Sequence, residues 1–402
     1  MSTGVCVPSG FLASAAACGL KQSGSPDLAL VYSESSCSAA GVFTQSLVRA
    51  APVLLDEKTL KNNASSIRAV IANAGIANAC TGENGDHAAF EMQSLTADAL
   101  GCLPDQVLVL STGVIGVQLK MDKIAGGLPE LKQGLSTEGG EAAARAIMTT
   151  DTRPKYRSIQ VETEAGSCSL GAMAKGSGMI HPNMATMLAV ITTDASVPAQ
   201  LLQKLLKQSA DLSFNRISVD GDTSTNDTVL LLANGASGIK VDTEAAAAAF
   251  SQALNSLMIE LAKDIVRDGE GATKLVELYV KGCETEEQAL QIAGTISTSM
   301  LVKTAIAGGD PNWGRIIAAA GRAGVDFDPD KAVLTVTSGT EPELVLFSRG
   351  MPLAFDRKQA AAVFSAEELF ITLDLRQGEK STQMWTCDLT TEYVHINADY
   401  HT

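Results

Sequence analysis

The most informative stretch of the chain is KGSGMIHPNMATML, residues 175–188. Its glycines, proline and asparagine favour an irregular loop, and the apolar run at residues 187–191 predicts a buried strand after it. The bond between Ala185 and Thr186 lies at this transition. A bent backbone there would bring the Thr186 hydroxyl onto the Ala185 carbonyl. The stretch therefore has the features of a self-cleavage site.

In such a cleavage the hydroxyl attacks the carbonyl, the peptide rearranges to an ester, and water releases Thr186 as a new chain start. The free α-amine has a reference pKa of about 7.7 to 8.0, so part of it is neutral near pH 7 and takes the proton of the hydroxyl. Nucleophile and base then share one residue. On composition alone, an ordinary glycine-rich loop that leads into a strand explains the same residues.

Composition excludes several classes of protein. The 402 residues favour two domains or two interleaved lobes. A formal charge of −15 without a basic run argues against nucleic-acid binding. No apolar segment approaches the roughly 20 residues that span a bilayer, and the first ten residues do not resemble a signal peptide. We expect a cytoplasmic protein that does not bind a membrane.

Cysteine and histidine spacing gives no sign of a metal site. The eight cysteines form no CxxC pair, and the four histidines form no HExxH cluster. We expect free, mostly buried thiols and no bound metal.

Apolar runs predict strands at residues 28–32, 41–53, 67–73 and 106–110. Two of them end in glycine-containing loops, at Ala74-Gly75 and at Ser111-Thr112-Gly113. Helices are predicted at residues 197–212 and from a Thr243 cap to about Val266. Further strands are predicted at residues 332–336, 343–347 and 369–375, so that the last third is mixed and ends in strands. No linker marks a domain boundary, which must therefore come from chemistry.

The segment KGSGMIHPNMATMLAVITTDA, from Lys175, is similar to the autoprocessing motif of the ornithine acetyltransferases, also called arginine biosynthesis bifunctional proteins. Further motifs resemble the same family in order along essentially the whole chain. They are GVFTQSLVRAAPV from Gly41, NAGIANACTG from Asn73, STGVIG from Ser111, AIMTTDTRPK from Ala146, DGDTSTNDT from Asp220, DGEGATK from Asp268, KTAIAGGDPNWGRI from Lys303 and YVHINADYHT from Tyr393. Ala74 and Ile76 depart from the family pattern, where polar residues are usual.

The resemblance implies roles for particular residues. Thr186 is the nucleophile against Ala185 during maturation, and then against the acetyl carbonyl of acetylornithine. Thr112 and Gly113 form the oxyanion-hole pair. The Lys175 ammonium meets a substrate carboxylate. The remaining implied substrate contacts are Glu270, which pairs with the ornithine amine, and Thr149, Asn397 and Thr402.

The resemblance also implies an α/β (α+β) layered sandwich and an assembly. Residues 1–185 and 186–402 would be two intertwined chains after cleavage, assembled as a heterotetramer. The implied reaction moves an acetyl group from acetylornithine to glutamate without a cofactor, and some members also accept acetyl-coenzyme A.

Two other functions stay open. A related self-cleaving aminopeptidase or amidase would use water as the acyl acceptor, and a noncatalytic binding protein would keep the fold uncleaved. His181 lies close enough in sequence to act as a general base, although the new α-amine already fills that role. Asp220, Asp222 and Asn226 form either a cation-binding loop or a hydrogen-bonded turn.

Overall fold

The structure, a computed structural model, describes residues 1–181 and 187–399. The predicted cleavage bond between Ala185 and Thr186 and the predicted contact residue Thr402 therefore lie outside the described residues. The chain forms two compact units. The first contains the described residues of Met1–Asn215 together with Asp222–Ile265, and the second contains Arg216–Gly221 and the described residues from Val266 onward. The predicted division at residue 185 concerns a covalent cut, and it stays a prediction.

The strands, in chain order, are β1 (Phe11–Ala16), β2 (Leu28–Phe43), β3 (Ile67–Ile76), β4 (Val107–Val114), β5 (Lys155–Thr163), β6 (Gly166–Lys175), β7 (Leu188–Thr193), β8 (Ile217–Ser218), β9 (Thr228–Ala233), β10 (Leu275–Cys283), β11 (Val333–Thr337), β12 (Leu344–Ser348), β13 (Met351–Pro352), β14 (Glu368–Asp374) and β15 (Lys380–Cys387).

The helices are α1 (Ala51–Asn62), α2 (Gly82–Leu100), α3 (Met121–Gln133), α4 (Gly140–Ala146), α5 (Ala199–Leu212), α6 (Glu244–Arg267), α7 (Glu286–Ser297), α8 (Met300–Ala307), α9 (Trp313–Gly321), α10 (Arg357–Ser365) and α11 (Thr391–Asp399).

The first unit is built on a sheet in the order β4-β3-β2-β9-β7-β6-β5, with β1 paired to β2. The long strand β2 changes register between Tyr32 and Cys37. Its first half pairs with β1 and β3, and its second half pairs with β9. One strand thus joins the two parts of the sheet.

Both faces of this sheet are covered by helices. Because side chains alternate across a strand, neighbouring residues of β2 point to opposite faces. Leu28 and Leu30 pack in one cluster with buried residues of α2 and α3. Ala29 and Val31 point to the other face and pack with the buried alanines of α4. The first unit therefore has helices on both faces of its sheet, as the predicted layered α/β fold requires.

The second unit has its own sheet, in the order β13-β12-β11-β14-β10-β15-β8. Apolar residues of β10, β11, β12 and β14 pack on α7, α8, α9 and α10. Both tryptophans of the chain belong to this unit. The Trp313 ring stacks on Phe347 with 5.7 Å between ring centroids, and the Trp385 indole N–H donates to Glu277 at 2.9 Å.

Most predicted elements are confirmed. The predicted strands at 67–73 and 106–110 correspond to β3 and β4, and those in the last third to β11, β12 and β14. The predicted helices correspond to α5 and α6. The Thr243 hydroxyl accepts from the Ala246 amide at 3.1 Å, which confirms the predicted cap.

Two predictions are wrong. The predicted strand at 41–53 is only the end of β2, and α1 begins at Ala51. Pro52 occupies the first turn of that helix, where its missing N–H costs nothing. The chain was also expected to end in strands, but α11 follows β15. The Thr390 hydroxyl accepts from the Glu392 amide at 3.2 Å and so caps the start of this helix.

The cysteines are free, and most of them are buried, as predicted. Within the described residues, no helix is both long and apolar enough to cross a bilayer.

Candidate active site

The predicted oxyanion-hole residues lie at the carboxyl end of β4, beside the carboxyl end of the parallel strand β3. Thr112 in β4 is opposite Ala74 in β3, and Gly113 is opposite Gly75. Gly113 has φ 129°, and a Cβ on it would lie 2.2 Å from the Gly75 carbonyl carbon. Only glycine fits this approach of two backbones. The Thr112 side chain is buried beside it.

A loop of the same unit, which contains Asn226, is hydrogen-bonded to these strand ends. The Asn226 amide donates to the Ser111 carbonyl at 2.9 Å and to the Ala77 carbonyl at 2.7 Å. For Asn226, the hydrogen-bonded interpretation of the DGDTSTNDT motif is therefore the right one. Its side chain satisfies carbonyl groups that the ends of the strands leave unpaired.

Three of the predicted site residues come together around one ammonium group. Lys175 is the last residue of β6 and is buried. Its Nζ donates to the Thr149 hydroxyl at 2.8 Å and to the Thr112 hydroxyl at 3.5 Å. Thr149 lies in the loop between α4 and β5. The end of β6, this loop and the end of β4 thus form one polar cluster.

A buried carboxylate, Asp151, organises the cluster, and the sequence motifs did not predict its role. Its Oδ1 accepts from Lys155 Nζ at 2.7 Å and from the Gly176 amide at 2.7 Å. Its Oδ2 accepts from the Thr149 amide at 3.0 Å and lies 3.8 Å from Lys175 Nζ. Asp151 therefore fixes the backbone at Thr149 and next to Lys175.

The Asp151 carboxylate interacts with the ammonium groups of Lys155 and Lys175. Burial alone would raise the pKa of Asp151, but the ammonium groups of Lys175 and Lys155, with hydrogen bonds from Lys155 and Gly176, hold that pKa well below its usual range. The carboxylate therefore stays ionised at every ordinary pH. A buried charge is costly unless it is paired and hydrogen-bonded, so these contacts stabilise all three charged groups.

His181 is half-buried, six residues after Lys175. Burial lowers the pKa of its imidazole, and the Asp222 carboxylate opposes this effect only in part. The ring is therefore mainly neutral at neutral pH. A neutral imidazole is the form that accepts a proton.

Two further predicted residues meet in the second unit. Glu270 follows α6, and Asn397 lies in α11. The Asn397 amide donates to Glu270 Oε2 at 2.8 Å in an exposed position. The carboxylate thus has a fixed partner and remains accessible to a ligand. Ala185, Thr186 and Thr402 lie outside the described residues, so their predicted roles stay predictions.

The signal for Asp151 and Lys155 was present in the AIMTTDTRPK motif, which contains both residues. Charged residues are mostly exposed, however, and nothing in the local sequence distinguishes this buried pair from a solvated one. Only the packing of the loop against β5 and β6 shows that this pair is buried.

The fold and the cluster define a layered α/β protein with a buried polar cluster centred on Lys175. A profile of the ArgJ family matches residues 12–402. The chain belongs to the ArgJ family, as the sequence motifs predict, and it is therefore an enzyme.

Relatives match over nearly their whole length. A Symbiobacterium thermophilum protein named arginine biosynthesis bifunctional protein ArgJ is 48% identical over 406 residues, which cover 100% of this chain and 99% of that protein. A mitochondrial protein of the same name from Heterostelium pallidum is 44% identical over 411 residues, with 98% of this chain and 94% of that protein covered.

Solved structures of the same family are also similar. ArgJ from Bacillus halodurans is 39% identical, with a TM-score of 0.48, and the match covers 52% of this chain and 97% of that chain. Ornithine acetyltransferase from Mycobacterium tuberculosis, solved with ornithine, is 39% identical, with a TM-score of 0.42 and coverage of 45% and 95%.

Proposed function

We propose that this protein cleaves its own chain between Ala185 and Thr186 and then transfers an acetyl group from N2-acetylornithine to glutamate in arginine biosynthesis. Two facts support the proposal. Relatives that match nearly the whole chain are named arginine biosynthesis bifunctional proteins, and the residues that the family resemblance marks are present here.

The observation that carries the proposal is the buried Lys175 cluster. Acetylornithine and glutamate share an α-carboxylate, and a carboxylate forms a strong, charge-assisted hydrogen bond with an ammonium group such as that of Lys175. Lys175 already donates to the hydroxyls of Thr149 and Thr112. A substrate carboxylate bound to Lys175 would therefore lie next to the end of β4, where the oxyanion-hole residues are expected.

In the proposed cleavage, the Thr186 hydroxyl oxygen bonds to the Ala185 carbonyl carbon, and the peptide C–N bond breaks. The hydroxyl proton moves to the departing nitrogen, which becomes the new α-amine, and water then hydrolyses the ester to release the Ala185 carboxyl group and restore the Thr186 hydroxyl. In the transfer reaction the amine takes the hydroxyl proton, and the oxygen attacks the acetyl carbonyl. Ornithine leaves with that proton, and the glutamate amine then removes the acetyl group from Thr186.

The remaining roles follow from chemistry. Thr112 and Gly113 would stabilise the oxyanion of each tetrahedral intermediate. Glu270, oriented by Asn397, would pair with the side-chain ammonium of ornithine. The reaction needs no cofactor, and acetyl-coenzyme A is proposed as a second acetyl donor. We further propose a cytoplasmic heterotetramer of the chains 1–185 and 186–402.

The first experiment is intact mass spectrometry with N-terminal sequencing of the purified protein and of a Thr186→Ala variant. We expect two fragments from the wild type, the second starting at Thr186, and one intact chain from the variant. An intact wild-type chain would rule out the proposed mechanism.

The second experiment measures transfer and hydrolysis separately. Acetylornithine is supplied with and without glutamate, and ornithine release is followed. Release that depends on glutamate supports acetyl transfer. Equal release in its absence would instead identify the related amidase that uses water.

A lysine substitution tests the carboxylate site. Lys175→Met should raise the KM for both acetylornithine and glutamate by about 10- to 100-fold, because it removes a charge-assisted hydrogen bond. Lys58→Met, at an exposed position on α1, serves as the control and should leave KM unchanged.

A further inference from the structure

The loop between β1 and β2, residues 17–27, lies against the end of β3 beside the predicted oxyanion hole. A Cβ on Gly75 would lie 3.2 Å from the Leu20 carbonyl oxygen and 3.5 Å from the Lys21 nitrogen. Gly75 has φ 109°, so glycine suits both its conformation and this close approach. Gly75 is opposite Gly113 in the neighbouring strand. The β1–β2 loop is therefore packed on the strand that flanks the oxyanion-hole residues.

The buried carboxylate of Asp27 fixes the backbone of the β1–β2 loop. It accepts from the amides of Cys18 at 2.8 Å, Leu20 at 2.6 Å and Lys21 at 3.0 Å. Burial alone would raise the pKa of Asp27, but the hydrogen bonds from these residues hold that pKa below its usual value. The Asp27 carbonyl also accepts from the Ala74 amide of β3 at 2.8 Å. The backbone at Lys21 is thus held in place relative to β3.

The side chain of Lys21 joins the β1–β2 loop to the end of α4. Its Nζ donates to the Ala146 carbonyl at 2.9 Å and to the Pro26 carbonyl at 2.8 Å. Ala146 is the last residue of α4. The last carbonyl groups of a helix lack a partner inside the helix, and a cation is favourable beside them. The α4–β5 loop, residues 147–154, starts at this point and carries Thr149.

The charges that act on the Lys21 ammonium are those of the polar cluster around Lys175. Burial lowers the pKa of Lys21, the carboxylates of Asp27 and Asp151 oppose this effect, and the Lys175 ammonium adds to it. The two lysines make different contacts. Lys175 donates to two side-chain hydroxyls, whereas Lys21 donates to two backbone carbonyls. Lys21 therefore acts on the position of the backbone beside the cluster.

We propose that Lys21 is a positioning residue, which holds the α4–β5 loop, and with it Thr149, at a fixed distance from the oxyanion-hole residues Thr112 and Gly113. The proposal rests on the proposed function, in which Lys175 binds the substrate carboxylate and the oxyanion hole faces the acetyl carbonyl. The action of Lys21 is indirect. It keeps the bound substrate aligned with the groups that stabilise the transition state, and catalytic rates depend steeply on this alignment.

Lys123 offers a matched control. It lies in α3, is half-buried like Lys21, and its Nζ donates to the Gly19 carbonyl at 2.5 Å. It therefore holds the same β1–β2 loop through the same kind of hydrogen bond, but it joins this loop to α3 instead of α4. Loss of an ammonium that anchors the loop is thus tested with and without a connection to Thr149.

The experiment measures steady-state acetyl transfer by the purified protein and by Lys21→Met, Lys21→Arg and Lys123→Met, with folding checked by circular dichroism. We expect Lys21→Met to lower kcat on the order of 10- to 100-fold and to leave KM within about threefold, because Lys175 still binds the carboxylate. Lys21→Arg keeps a cation with several donors, so its kcat should stay within about threefold of the wild type. Lys123→Met should leave both constants unchanged.

Two results would overturn the proposal. Equal kcat values for Lys21→Met and Lys123→Met would show that the connection to α4 has no special effect on the reaction. A raised KM with an unchanged kcat in Lys21→Met would show that Lys21 binds the substrate directly. If Lys21→Met does not fold, Lys21→Gln replaces it. Its neutral side chain is one atom shorter, so its kcat should fall below that of Lys21→Arg, and equal values would refute the positioning role.

Hydrogen exchange at the Thr149 amide keeps this proposal distinct from the proposed function. This amide donates to Asp151 Oδ2 at 3.0 Å. It should exchange faster in Lys21→Met than in the wild type, and at the wild-type rate in Lys123→Met. The same result in a chain whose wild type transfers no acetyl group would refute the proposed function, while the hold of Lys21 on the α4–β5 loop would stand. Unchanged exchange in Lys21→Met would refute the hold itself.

Discussion

Replacing Lys155 with methionine tests how much the buried charge cluster contributes to stability. Asp151 with Lys155 and Glu141 with Arg145 are ion pairs with the same i, i+4 spacing and the same 2.7 Å distance. They differ in burial. The side chains of the first pair are 0% and 1% exposed, whereas those of Glu141 and Arg145 are 40% and 56% exposed.

This difference in burial determines how much stability each substitution should remove. Lys155→Met leaves an ionised carboxylate buried, with Lys175 as its nearest cation at 3.8 Å, and breaking a buried pair in this way costs about 3 to 5 kcal/mol. Arg145→Met removes an exposed pair, which is worth about 0.3 to 0.5 kcal/mol. Methionine replaces most of the aliphatic stem of Lys155 and of Arg145, so packing changes little.

Urea unfolding followed by circular dichroism measures the free energy of unfolding, and hydrogen exchange of β5 and β6 localises the loss. A double variant, Lys155→Met with Asp151→Leu, should recover part of the stability, because it removes the stranded charge. The recovery should be incomplete, since the amides of Thr149 and Gly176 lose their acceptor. A cost for Lys155→Met no larger than that for Arg145→Met would refute the reasoning.

Three further predictions concern the first unit. Gly113→Ala should lower the free energy of unfolding by more than about 2 kcal/mol, because the new Cβ would meet the Gly75 backbone. Gly116 has φ 80° and no atom within 4 Å of a built Cβ, so Gly116→Ala should lower it by only about 1 kcal/mol in the same unfolding assay. Burial raises the pKa of Asp56. The folded protein therefore keeps a proton that the unfolded chain releases above about pH 4. The stability that this group contributes is lost as pH rises from there through the pKa of the folded state. Asp56→Asn should reduce that decline by about 1.4 kcal/mol per pH unit, and an unchanged slope would show that the group is already ionised. Cys80 is exposed, whereas burial raises the pKa of the other thiols. Cys80→Ser should therefore abolish the fast phase of thiol labelling. A fast phase that persists in this variant would contradict the assignment to Cys80.

The sequence predicted those elements whose pattern is local. The apolar run at 67–73 is flanked by polar residues and glycine, and it forms β3. The run at 41–53 mixes a strand end with a helix start, and periodicity does not distinguish them over so few residues. Pro52 was the local signal for the helix start, since proline favours the first helical turn.

The site was predicted where chemistry follows from a motif. Lys175 and Thr149 were expected to contact the substrate and Thr112 to belong to the oxyanion hole, and the structure brings the three side chains together. Asp151 was missed because its role depends on its burial and on its contacts with two lysines. Both are set by tertiary packing and not by the local sequence. The hydrogen bond from Lys21 to Ala146 was missed for the same reason, since it joins residues that lie 125 positions apart.

The location of both tryptophans in the second unit gives the molecule a built-in optical probe. Selective excitation of indole reports on that unit alone, whereas peptide absorption in the far ultraviolet reports on both units. Trp385 donates to a carboxylate and Trp313 stacks on a phenylalanine, so unfolding of the sheet should shift their emission to longer wavelength. Coincident transitions by the two signals would show that the units unfold together, and separate midpoints would show two independent steps.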